Sequence, residues 1–240
     1  MTLILTFRQI ELSDREWIRP LIVASETRNS DFSFNNMFAW RHEYSQLIHK
    51  GDGFVLGRFN LDGESFVSFP IGVRDDRQLL EILQELRSTL APLSLAGLSA
   101  EHVAALERIA PGEFTVTAPE SLADYLYDID RLASLSGKKL HAKRNHINRF
   151  EQEFPNRVFE PLTSENLGEC LVTDGLWAYE KSDEQFDTIP GEIRALEQAT
   201  THFTALELDG GLVRLTPGGT VIAFTIGERL SRDTYVTHFE

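Results

Sequence analysis

The chain has 240 residues, 42% of them apolar and 16 of them phenylalanine, with 37 acidic side chains against 23 basic and a formal charge of −14. That composition supports a sizeable core and excludes a disordered or low-complexity tract, while Cys170, the single cysteine, excludes an intrachain disulfide and argues against a cysteine-built zinc site. Met1–Phe7 carries no basic leader before Arg8 and Glu11, and no window approaches the roughly 18 apolar residues of a membrane span, so a soluble, cytoplasmic chain is expected.

In chain order, Phe7–Ile10 reads as a short strand, followed by a capped turn with a Ser13-to-Glu16 capping box and an apolar helix from Trp17 to Val23. A second helix is expected over Phe34–Ile48. Two alternating runs, Gly53–Phe59 and Ser65–Ile71, flank Asn60-Leu-Asp-Gly63, and Asp-Gly between such runs signals a hairpin. A helix over Asp76–Leu90 carries Leu79, Leu80, Leu83 and Leu86 on one side; a short strand near Leu93, a helix from Ser99 and a strand over Phe114–Ala118 follow.

The next segment inverts the local charge. Residues 137–150 hold five Lys/Arg and two His with no acid, whereas the rest of the chain has 18 bases against 37 acids. A phosphate-bearing partner must therefore be met locally, in a field that otherwise repels anions. At 100° per residue, Leu140, Ile147, Phe150 and Phe154 share an arc that includes Lys143, so an amphipathic helix ending before Pro155 is expected, with Lys143 less exposed than Lys138 and Arg149. Two readings stay open: a solvated basic helix linking two domains, or an anion site in an inter-domain groove using Lys139, Lys143, Arg144 and His146.

Val158–Leu162 then repeats the opening of the chain, with Thr163–Asn166 as the capped turn and Leu167–Trp177 as the helix. A helix over Pro190–Leu206, strands at Leu212–Leu215 and Thr220–Ile226 around Thr216-Pro-Gly-Gly219, and a last strand at Thr234–Phe239 complete the pattern. An offset of about 150 residues between two strand–cap–helix openings suggests two similar modules.

Three stretches, Asn35–Trp40, Gly137–Phe150 and Val221–Glu228, together with Thr237–Glu240 at the end, resemble the phosphatidylglycerol lysyltransferase C-terminal domain family. The resemblance implies an α/β (α+β) architecture of tandem GNAT-like mixed sheets flanked by helices: residues 1–130, a basic linking helix at 131–156, and a second domain at 157–240. Family members run on for several dozen residues, so the resemblance implies that the second domain is truncated at its C-terminus, with little transferase turnover from these 240 residues alone and an exposed sheet edge open to a partner or to self-association.

The function implied is acyl or aminoacyl transfer, with a small-molecule or aminoacyl-tRNA donor or acyl-CoA; the alternative is a catalytically inactive GNAT-like binding or regulatory module. Candidate catalytic residues are Glu192, at a helix start where the dipole also favours a carboxylate, and His238 with Glu240, which a regular strand places on one face. The Gly227-Glu228 turn joins the basic helix as a candidate substrate-binding element. Cys170 shares an arc with Leu167 and Leu171 and reads as a buried structural thiol. No Walker loop, dinucleotide fingerprint, nucleophile elbow or His-Glu-x-x-His helix is present, and no metal site is indicated.

Overall fold

A computed structural model describes residues 3–180 and 189–240. Two sheets carry the architecture, and both begin with the same order of elements. In the first, strand β1 (Arg8–Gln9) leads into helices α1 (Arg15–Ser25) and α2 (Phe34–Ala39), then strands β2 (Leu47–Lys50), β3 (Val55–Leu61) and β4 (Glu64–Ser68). These pair antiparallel in chain order, with Arg8 opposite Ile48, Ile48 opposite Gly57 and Arg58 opposite Val67. Helix α3 (Asp76–Thr89) crosses over to β5 (Leu95–Ala96), which lies parallel to β4, and α4 (Ala100–Ile109) follows. The second sheet repeats the opening with β6 (Val158–Pro161), α7 (Leu167–Glu180), α8 (Ile189–Thr201), β7 (Asp209–Arg214), β8 (Val221–Arg229) and β9 (Tyr235–Phe239), all antiparallel neighbours in that order. Between the halves stand α5 (Ile129–Ser134) and α6 (His141–Glu153).

Local chemistry explains much of this. The β3–β4 hairpin turns on Asp62 (φ 51°) and Gly63 (φ 80°), the pair of left-handed residues that a two-residue turn with strand-matching twist requires. Helix α3 starts where the Asp75 side chain accepts from the Gln78 amide, and it lays Leu79, Ile82, Leu83 and Leu86 inward. Ile82 and Leu86 join Phe54, Leu56 and Val67 in a cluster on one face of the first sheet.

The larger core is shared by both halves. Ile18, Phe34 and Phe38 belong to the same buried cluster as Leu196, Ala199, Leu212 and Phe224. Helix α2 packs on α8, the Asn35 amide donates to the Leu206 carbonyl at 2.9 Å, and Arg41 donates to Gln198 at 2.7 Å. Burial of apolar area at about 25 cal/mol per Å² makes this seam a stabilising contact between the halves.

Several expectations are corrected. The helix predicted over Phe34–Ile48 stops at Ala39; turns carry the chain to Ser45 (φ 48°), and Leu47–Lys50 forms a central strand between β1 and β3, whose pairing overrides the local helical pattern. No strand forms at Phe114–Ala118; Phe114 alone packs against the core, half-buried, and Val116 is exposed. The cap before α1 is not a Ser13–Glu16 box: the buried Asp14 carboxylate takes the Glu11 amide at 2.8 Å and the Trp17 indole at 2.9 Å. The basic segment is also broken, because Leu135 (φ 47°) and Gly137 (φ 91°) turn the chain before a short 3-10 turn and α6. Lys143 is exposed, as are Lys138 and Arg149; α6 buries none of its residues, and the expected apolar arc is only partly covered, by Phe150 and Phe154 against each other and by Arg157 over the Phe150 ring.

Candidate active site on the last two strands

Strands β8 and β9 bring three of the candidate residues together. The register places Ile226 opposite Phe239 but Gly227 opposite Thr237, so His238 is the extra residue of a β-bulge. In a regular strand His238 and Phe239 would face opposite ways. With the extra residue, both turn toward the packed side of the sheet: Phe239 stacks on Trp40 with ring centres 6.5 Å apart, and His238 Nε2 lies 3.1 Å from Glu228 Oε1. Both side chains of this His–Glu pair are 5% exposed. An ionised carboxylate only accepts, so in this contact Nε2 carries a hydrogen, and a neutral imidazole so placed has Nδ1 as its acceptor nitrogen. The same bulge corrects the expected His238–Glu240 pair, since Glu240 is exposed beyond the end of β9 and the carboxylate beside His238 is Glu228.

Gly227 serves packing. A Cβ there would lie 2.3 Å from the Val236 carbonyl and 2.6 Å from the Tyr235 ring, so only glycine lets that ring lie flat across β8. The Tyr235 hydroxyl donates to Asp209, and burial together with this acceptor raises the phenol above its ordinary range. Trp40 also stacks on Tyr44 with ring centres 5.6 Å apart, so an aromatic row runs from the α2 end to Phe239.

The remaining candidates lie elsewhere. Lys139, Lys143 and His146 are exposed on the α6 segment. Arg144 turns back, donating to the Leu135 carbonyl and, at 3.0 Å, to the Gly137 carbonyl, so it caps the end of α5. Glu192 is exposed in the first turn of α8, where a carboxylate complements the free amides. A surface cleft of about 480 Å³ between the start of α7 and the end of α8 is lined by Leu167, Gly168, Thr200, His202 and Phe203, and none of the candidates borders it.

Sequence reasoning missed a buried cation. Arg214 binds Glu169 through two bonds of 2.6 Å, Glu160 at 3.0 Å and the Gly219 carbonyl at 3.0 Å. The Glu169 bond, then the Glu160 bond, raises the guanidinium further, and Arg214 in turn lowers Glu169. The signal was present in the strand pattern, where Arg214 stands two residues after the core position Leu212 and therefore on the same face. Cys170 is fully buried, and burial pushes its thiol up to about 11. Among the described residues no group of three His, Cys, Asp or Glu is placed to hold a metal ion, and no helix is long and apolar enough to cross a membrane.

The fold and site therefore define a mixed α+β protein of two helix-flanked sheets, with a buried His–Glu pair on the final strands. A family model, phosphatidylglycerol lysyltransferase C-terminal, matches residues 23–240, and the chain belongs to that family. The crystal structure of a conserved protein of unknown function from Bacteroides thetaiotaomicron VPI-5482 is similar to it, with a TM-score of 0.89 and 33% identity over 98% of this chain and 79% of that one. No curated protein matches the chain.

Proposed function

We propose that this is an acyl- or aminoacyl-transferase-like protein built from tandem GNAT-like domains at 1–130 and 157–240, with 131–156 between them. Family membership and the order of elements shared by the two sheets support this reading. The observation that carries the chemistry is the His238–Glu228 pair. Transfer requires an amine or hydroxyl to attack the carbonyl of an activated ester or thioester, forming an amide or ester as the C–O or C–S bond breaks and the tRNA hydroxyl or coenzyme A thiol leaves with a proton. In this reading Glu228 holds the imidazole so that Nδ1 takes the proton from the nucleophile, a contribution worth about 10²- to 10⁴-fold in rate. Positioning of donor and acceptor supplies the rest.

The donor is an aminoacyl-tRNA or an acyl-CoA, and the exposed bases of the α6 segment are its phosphate contacts. A tRNA would need several such contacts and would show steep salt dependence; acyl-CoA would need fewer. The test is a thermal-shift screen against acyl-CoA species and aminoacyl-tRNA, followed by transfer assays on the responding donor. A donor at 100 times its dissociation constant raises stability by about 2.7 kcal/mol. Turnover that falls at least a hundredfold in His238→Asn, and donor binding that weakens in a Lys139→Ala, Lys143→Ala double variant, support the reading; turnover indifferent to His238→Asn removes it. Donor binding with no transfer to any amine or hydroxyl acceptor identifies a binding module instead, a reading favoured by the low exposure of both site side chains.

A further inference from the structure

The turn after α2 reaches from the first half of the chain to the second at three points. The Trp40 ring stacks on Phe239 with planes 12° apart, Arg41 donates to Gln198 at 2.7 Å, and Arg194 donates to Glu43 at 3.0 Å. The same turn is tied to the first sheet, because Tyr44 stacks on Trp40 and the Asn60 amide of β3 donates to the Tyr44 carbonyl at 2.8 Å. Among the described residues Trp40 is the aromatic partner of Phe239, whose ring is buried. Phe239 in turn decides the register at the end of β9. Thr237 lies opposite Gly227 and is exposed, so regular alternation would put His238 opposite Ile226 and send Phe239 to the open face beside Thr237. The extra residue instead brings Phe239 opposite Ile226 and onto Trp40, and burial of a ring that would otherwise face water favours that register.

We propose that Trp40 is a positioning residue for the His238–Glu228 pair: by holding Phe239 on the packed side of the second sheet, the first half fixes the bulge that keeps the imidazole against its carboxylate. The bulge leaves His238 between the levels of Gly227 and Ile226. A regular strand would put it level with Ile226 and so further from Glu228 by about 1.7 Å, half of the roughly 3.4 Å rise per residue. A shift of that size breaks a contact of 3.1 Å. The geometry of the pair stands apart from any reaction, whereas its catalytic consequence rests on the transfer reading of His238. In that reading a displacement of about 1 Å costs roughly a hundredfold in rate, so Trp40 acts on the chemical step without touching a substrate.

Nitrogen–proton NMR spectra of the imidazoles test this, with the His238 signal identified by its loss in His238→Asn. The wild type is expected to show a slowly exchanging Nε2 hydrogen, since both side chains of the pair are buried. Trp40→Ala speeds that exchange about tenfold or more, and Trp40→Phe, which keeps a ring on Phe239, holds it within about threefold of wild type. Trp177→Ala removes a comparable stack, on Phe224, from the core of the second half and leaves the exchange unchanged. Phe239→Ser removes the other member of the stack and carries the test where Trp40→Ala fails to fold, with the same effect expected. Exchange indifferent to Trp40→Ala and Phe239→Ser, an equal rise in Trp177→Ala, or a wild type without a protected Nε2 hydrogen each overturn the proposal. On a donor that supports turnover, Trp40→Ala lowers kcat by about a hundredfold with KM little changed, and Trp40→Phe restores most of it. Where the exchange rises but kcat holds, or the wild type has no turnover, the positioning role stands and the transfer chemistry assigned to His238 falls.

Discussion

Replacing Asp14 by asparagine removes a charge whose bonds fix the entry to the first helix. The carboxylate, 3% exposed as a residue, accepts from Arg8 at 2.8 and 2.5 Å, from the Glu11 amide at 2.8 Å and from the Trp17 indole at 2.9 Å. Burial alone would raise its pKa, but the Arg8, Glu11 and Trp17 bonds outweigh that and hold it below the ordinary carboxylate value. Hydrogen bonds to a charged group contribute about 1.5–3 kcal/mol each in net stability, but Arg8 is half exposed and water replaces its partner cheaply. The buried indole and amide set the scale: Asp14→Asn is expected to cost about 2–3 kcal/mol by urea unfolding, and Arg8→Ala no more than about 1. Because the folded pKa is lowered, the stabilisation is complete above the unfolded value of about 3.9 and is lost as pH falls through the folded value. The gap between wild type and Asp14→Asn therefore stays constant near neutrality and closes in acid. A cost below about 0.5 kcal/mol, or a gap that fails to shrink in acid, refutes the account of these bonds.

His102 stacks on Phe69 at 4.0 Å and meets Phe32 edge-on, and burial lowers its pKa despite Glu101 nearby. Its NMR titration midpoint should fall below about 6.5, with the stability of the neutral ring present above that pH and lost as pH drops toward the midpoint; a midpoint at or above 6.5 contradicts this. Cys170, buried with its thiol pushed up to about 11, should react with a thiol reagent at neutral pH only as fast as the protein opens, so rapid native-state labelling counts against its burial.

The sequence by itself determined the elements whose signals are local. Asp62-Gly63 specifies its hairpin through left-handed backbone preference, Asp75 and the leucine spacing specify α3, and the strand-then-helix patterns at Phe7–Val23 and Val158–Trp177 specify β1 with α1 and β6 with α7. The family resemblance was legible for the same reason, since it rests on contiguous stretches of chain. Tertiary structure decided what depends on register and on distant neighbours. Residues 47–50 form a strand because β1 and β3 flank them, against a local pattern that continued the helix. The partner of His238 is Glu228 because one extra residue in β9 reverses the alternation that a regular strand would give Glu240. Lys143 is exposed because α6 buries none of its residues against the described part of either sheet, and Arg144 is occupied by carbonyls of its own preceding turn. Helix and turn preferences are encoded within a few residues, whereas a bulge, a buried ion pair or an uncovered helix face is settled only when strands choose a register and the two halves meet.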